Sequence, residues 1–192
     1  MAELFWNSVQ VEPKRRFRFE LKFSARTARG GQGKGAIPVW TIKTATKPKA
    51  NVSLIEHQYI DHTFKYPGRV TWDPITITLV DPVDPDLSYA FLDVLGAAGY
   101  KYPTTSSASK KSLSKKLFTE EIGQVFIDQI DENGKVIERW ALQNPFITSV
   151  DFGGSLDYTS DDMNEVTIEM QFDWAKLEIS GAGAAGVPST RA

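Results

Sequence analysis

The feature that most restricts this chain is a two-residue alternation of apolar and polar side chains. Phe17, Phe19, Leu21 and Phe23 alternate with Arg16, Arg18, Glu20 and Lys22. Successive side chains of a strand point to opposite faces, so such a run buries one face and wets the other. Near the C-terminus, Val166, Ile168, Met170, Phe172 and Trp174 alternate with Glu165, Thr167, Glu169, Gln171 and Asp173, which predicts one long final strand. A third run sets Ile75, Ile77 and Leu79 against Thr76, Thr78 and Val80.

Asn133-Gly134 predicts a two-residue type I′ hairpin turn, and that turn fixes a register. Glu132 then faces Lys135, Ile130 faces Ile137, Asp128 faces Arg139, Ile127 faces Trp140 and Val125 faces Leu142. Opposite charges meet and apolar side chains meet, which stabilises cross-strand pairs. Val52 to Tyr66 also alternates, with an interruption at Gln58, and Tyr59, Ile60 and Phe64 have no evident place in a small core. A strand pair of this length is expected to project beyond the body, where it can receive another chain.

One helix is expected after Asp84, with Asp84 as cap and Pro85 at the first helical position. Leu87, Phe91, Val94 and Leu95 share its apolar face. Ser109 to Glu121 reads equally as a short helix or as a loop feeding a strand. Ala28 to Ala36, around Gly30 to Gly35, is a glycine-rich basic loop. Residues 1–180 are expected to form a single domain, and residues 181–192 are a small-residue tail with little to bury.

Composition excludes several function classes. The 192 residues are 41% hydrophobic and 11% aromatic, enough for one packed core. Twenty-two basic against twenty-four acidic residues leave a net charge of −2, not the basic surplus of a protein that grips nucleic acid. With no cysteine there is no disulfide, thiolate metal site or cysteine nucleophile. Met1 to Val9 carries neither the basic nor the apolar segment of a signal peptide, and no stretch approaches the ~20 apolar residues of a membrane span. Synthesis and folding in the cytoplasm are the expectation.

The chemistry-bearing residues form no site. His57 and His62, read as lying on one strand, fall on opposite faces and share no metal. Asp157, Asp161, Asp162 and Glu165 lack the glycine and spacing of a calcium loop and read as a solvated turn. Gly30 to Gly35 lacks the P-loop spacing, and no serine has a histidine and acid placed to activate it. The expectation is a non-enzyme without cofactor or metal. A β-barrel nucleic-acid-binding module, with Arg26, Arg29 and Lys34 beside Trp40 or Phe17, is the competing class; the net charge counts against it. A carbohydrate-binding sandwich would need aromatics beside paired carboxylates, which the sequence does not offer.

From Phe17 to Trp174 the order of motifs resembles the tail tube proteins of contractile-tailed bacteriophages. The resemblance rests on Phe17 to Phe23, Trp40 to Thr46, Arg69 to Asp81 and a helix at Asp86 to Leu95. It continues through Asn133-Gly134, Trp140, Asn144-Pro145-Phe146, Gly153, Leu156-Asp157-Tyr158, Ser160-Asp161 and Val166 to Trp174. The glycine-rich loop and the tail depart from it.

The resemblance implies a mainly β fold with one or two short helices, a sandwich or barrel-like subunit whose strands join a continuous inner barrel in a hexameric ring. Rings would stack into a tube in the virion tail. Its partners would be other copies, a sheath protein, a baseplate or initiator protein and a terminator, with DNA passing untrapped; pyocin and secretion-system tubes are built alike. Ile55, Tyr59, Ile60 and Phe64 are then the candidate contacts between subunits. Glu165, Glu169 and Asp173 are the candidate lining of the lumen, where an acidic wall would not bind phosphates.

Overall fold

The computed structural model describes residues 13–24, 39–159 and 161–180. The Gly30 to Gly35 loop, Arg26, Arg29 and Lys34, Met1 to Val9, Ser160 and residues 181–192 lie outside the described residues.

Ten strands and two α-helices are found among the described residues. They are β1 (Phe19–Phe23), β2 (Ile42–Ala45), β3 (Ala50–Tyr59), β4 (His62–Trp72), β5 (Ile75–Val80), α1 (Leu87–Ala97), α2 (Lys115–Ile122), β6 (Val125–Ile130), β7 (Val136–Gln143), β8 (Phe146–Asp151), β9 (Glu165–Gln171) and β10 (Trp174–Ser180). A first sheet runs β1-β6-β7-β10 and a second runs β2-β5-β9-β8, each antiparallel throughout. Among the described residues β3 and β4 pair only with each other.

The core explains the alternation. Leu21, Val125, Ile127 and Leu142 of the first sheet meet Ile75, Ile77, Leu79, Val166, Ile168 and Met170 of the second. Leu87 and Phe91 of α1 and Phe118 and Ile122 of α2 complete it. Among the described residues both sheets keep free edges and no barrel closes within one chain. Phe17 does not join β1: it sits in the preceding turn, 75% exposed.

The expected final strand divides in two. β9 ends at Gln171, Phe172 turns into the core, and β10 crosses to the first sheet. A second crossing, at Asn144-Pro145 between β7 and β8, lies beside it. The Asn144 amide donates to Asp173 Oδ2 at 2.8 Å and fastens the two corners together. The run from Arg69 to Asp81 is also broken, at Asp73-Pro74, between β4 and β5.

The β6–β7 register matches expectation from Val125↔Leu142 through Asp128↔Arg139, then slips. Ile130 pairs with Val136 rather than Ile137, because Asp131 rebuilds the turn. Its carboxylate accepts the Asn133 and Lys135 N–H groups at 2.9 and 2.8 Å, and Gly134 alone takes a positive φ, +77°. The result is a longer loop with a bulge at Ile137, not a type I′ turn.

The cap of α1 is Asp86 rather than Asp84. Its carboxylate accepts the Tyr89 N–H at 3.1 Å, and Pro85 precedes the helix. The ambiguous second segment is helical over α2, and Gly99 stops the first helix with φ +113°.

Candidate assembly interface

The β3–β4 hairpin stands apart from both sheets and has no core of its own. Ten residues of strand span about 33 Å at ~3.3 Å each. Among the described residues only the base is tied down. Asp73 N–H donates to Lys49 O at 3.0 Å, the Gln171 amide donates to Trp72 O at 3.1 Å, and the Trp72 ring lies 5.9 Å from that of Phe172. The Asn51 amide and then the Lys49 ammonium, at 3.0 Å, hold the Asp73 carboxyl below the usual carboxylate range.

The register sorts the side chains. His57 opposes Phe64, Tyr59 opposes His62 and Ile55 opposes Tyr66, so these six share one face. On the other face Leu54 opposes Pro67 and Val52 opposes Val70, beside the Glu56–Lys65 ion pair. Between them Ser53 faces both Gly68 and Arg69, accepting the Arg69 N–H at 2.8 Å. A Cβ on Gly68 would stand 2.2 Å from that hydroxyl and would displace it from the Arg69 N–H. At the tip Ile60 takes φ +53°, a strained conformation for a β-branched residue.

Both faces are apolar, and both face solvent. The expected contact residues Ile55, Tyr59, Ile60 and Phe64 are 57, 61, 83 and 49% exposed. Val52, Leu54, Tyr66 and Val70, which sequence reasoning did not single out, are equally bare. They obey the same alternation, which reveals which residues share a face but not that the opposite face is uncovered too. His57 and His62 lie on one face rather than two, because the turn at Ile60-Asp61 places them on separate strands. Among the described residues no three metal-ligating side chains converge.

The acidic candidates separate. Glu165 and Glu169 share the outer face of the second sheet with Thr167, alongside Thr76 and Thr78 of β5. Glu165 is paired with Lys43. Asp173 lies in the corner instead, where the Lys115 ammonium at 2.5 Å and the Asn144 amide hold its carboxyl below the usual range.

No protein-family model matches the chain, and no curated protein does. Solved structures do. A chain from the baseplate of the anti-feeding prophage superposes with a TM-score of 0.62 at 13% identity, over 88% of this chain and 97% of that one. A chain from the tube-terminating cap of the same particle gives 0.60 at 20% identity, over 94% and 100%. A chain from the sheath-tube complex of the extracellular contractile injection system PVC gives 0.59 at 17%, over 93% and 99%. The fold is the one shared by these chains of contractile particles. At these identities the likeness is one of fold, and it covers nearly the whole of each chain. No described helix is long and apolar enough to cross a membrane.

Proposed function

We propose that this protein is a structural tube subunit of a phage-like contractile device. It works without catalysis, assembling into hexameric rings that stack into a hollow conduit. The observation that carries the reading is the β3–β4 hairpin, apolar and solvent-facing on both sides. A monomer gains nothing from such a hairpin, whereas a neighbouring subunit on each side would bury it.

The edges of β1 and β10, free among the described residues and at opposite sides of the first sheet, extend the argument. Pairing β10 of one subunit with β1 of the next continues the sheet around a ring and removes its open edges. The sheath, baseplate and terminator complexes that contain similar chains support the same classes of partner here. In a phage tail the conduit passes DNA, and the chain's net charge of −2 suits a wall that does not trap phosphates. The particle would be the virion tail or a phage-derived injection device.

Negative-stain microscopy and analytical ultracentrifugation of the purified protein test the reading. Rings or tubes are expected as concentration rises. A chain that stays monomeric at high concentration, even with its tube initiator present, overturns it.

A further inference from the structure

The two ends of the second sheet carry opposite charge. Residues 98–119 include Lys101, Lys110, Lys111, Lys115 and Lys116 and no acid, while residues 151–162 include four acids and no base. Lys115 lies over the ring of Phe146, where β8 begins, and the acidic loop starts where β8 ends, at Asp151. At that far end Asp81 ties the loop to α1: its N–H donates to Asn164 O at 3.0 Å, and its carboxylate accepts the Leu87 N–H at 3.2 Å. The eleven residues of α1 then carry the chain about 16 Å back toward the lysines. The lysine-rich segment, whose Lys115 is already paired with Asp173 at the near corner, and the acidic 151–162 loop therefore cap opposite ends of the sheet.

Their shapes are complementary as well. Leu156 and Tyr158 are 90% and 109% exposed and flank Asp157. The lysine-rich end holds a shallow depression of about 360 Å3 between Lys101, Tyr102, Thr104, Ser107, Ala108 and Lys111. We infer that the Leu156-Asp157-Tyr158 loop of one subunit seats in the depression rimmed by Lys101 and Lys111 on a second copy. Leucine and tyrosine fill the hollow, and the acids of the loop meet the two lysines. The two patches differ and lie at opposite ends, so the contact is head-to-tail and propagates through successive copies. It rests on the tube-subunit reading and gives the assembly a polarity.

Two charge reversals test it, Lys101→Glu with Lys111→Glu and Asp157→Lys with Asp161→Lys, each checked for an unchanged melting curve. By sedimentation velocity at low salt, each variant alone associates at least roughly tenfold more weakly than wild type, because like charges now meet. An equimolar mixture of the two recovers association, since each reversed end then finds its opposite. Leu156→Ser with Tyr158→Ser, on fully exposed side chains, serves the loop end if the aspartate variant fails to fold. Wild-type association by either reversed variant alone, or a mixture that does not recover, overturns the contact and leaves the tube reading in place. If the mixture recovers but wild type never forms rings or tubes, the contact stands and the tube reading falls.

Discussion

Arg139 clasps Asp128 from the facing strand, with Nε 2.6 Å from Oδ1 and Nη2 2.7 Å from Oδ2. Asp128 is fully buried on the outer face of the first sheet, covered by that guanidinium and by Lys22 at 3.1 Å from Oδ2. Three strands are thus tied by one carboxylate. Burial opposes its ionisation, yet hydrogen bonds from Arg139 and Lys22 prevail and hold it below the usual range. Removing one member of a buried pair strands the others, so Asp128→Ala should cost about 3 kcal/mol in urea unfolding. A loss below about 1 kcal/mol would show that the clasp is replaced by water.

Glu138 should make the fold lose stability in acid. Burial works against its charge, but Lys14, Lys47 at 2.6 Å and Trp140 Nε1 at 2.7 Å outweigh burial and lower its pKa from 4.5 to about 2. Because the folded pKa lies below the unfolded one, its contribution is complete above pH 4.5 and is lost as pH falls toward 2. The shift corresponds to on the order of 3 kcal/mol. Glu138→Gln should be less stable at pH 7 and should flatten the acid limb of the stability profile. Parallel wild-type and variant profiles between pH 5 and 2 would remove Glu138 from that role (a pH range set by the titration of carboxylates).

What the sequence makes legible follows from one-sided burial. Ile75, Ile77 and Leu79 against Val166, Ile168 and Met170 show which faces meet, and the Asp128–Arg139 pair betrays its own register. Periodicity could not show that the chain changes sheets at Phe172-Asp173, because two strands of the same period meet there without a break. Nor could it show that the Asp131 carboxylate would take the turn from Asn133-Gly134. Parity placed His57 and His62 on opposite faces only as long as no turn lay between them. Leu156 and Tyr158 occupy a loop without period, so no sequence pattern marks them as a surface.

Replacing Tyr59 and Phe64 together with serine separates assembly from folding. Both side chains stand on one face of the hairpin, 61 and 49% exposed, away from the core. Stability should change by no more than about 0.5 kcal/mol per substitution, as at other surface positions. Ring and tube formation should disappear, leaving a monomer in the ultracentrifuge. Outright unfolding of the double variant would place these residues in the intramolecular core instead.

Glu169 tests the bore. It shares the outer face of the second sheet with Thr76, Thr78 and Thr167, whereas the charge of Glu165 is taken up by Lys43. If this face lines the conduit, DNA meets like charge there and slides. Glu169→Lys substitutes a cation on every subunit, and each added phosphate contact releases counterions and slows passage. The variant should assemble normally, eject DNA more slowly, and recover as salt is raised and the contacts are screened. Salt is the discriminating variable, since a defect caused by a misshapen wall would not ease with ionic strength. A tube structure with Glu169 on the outside would reassign the lumen to another face while leaving the hairpin contacts untouched.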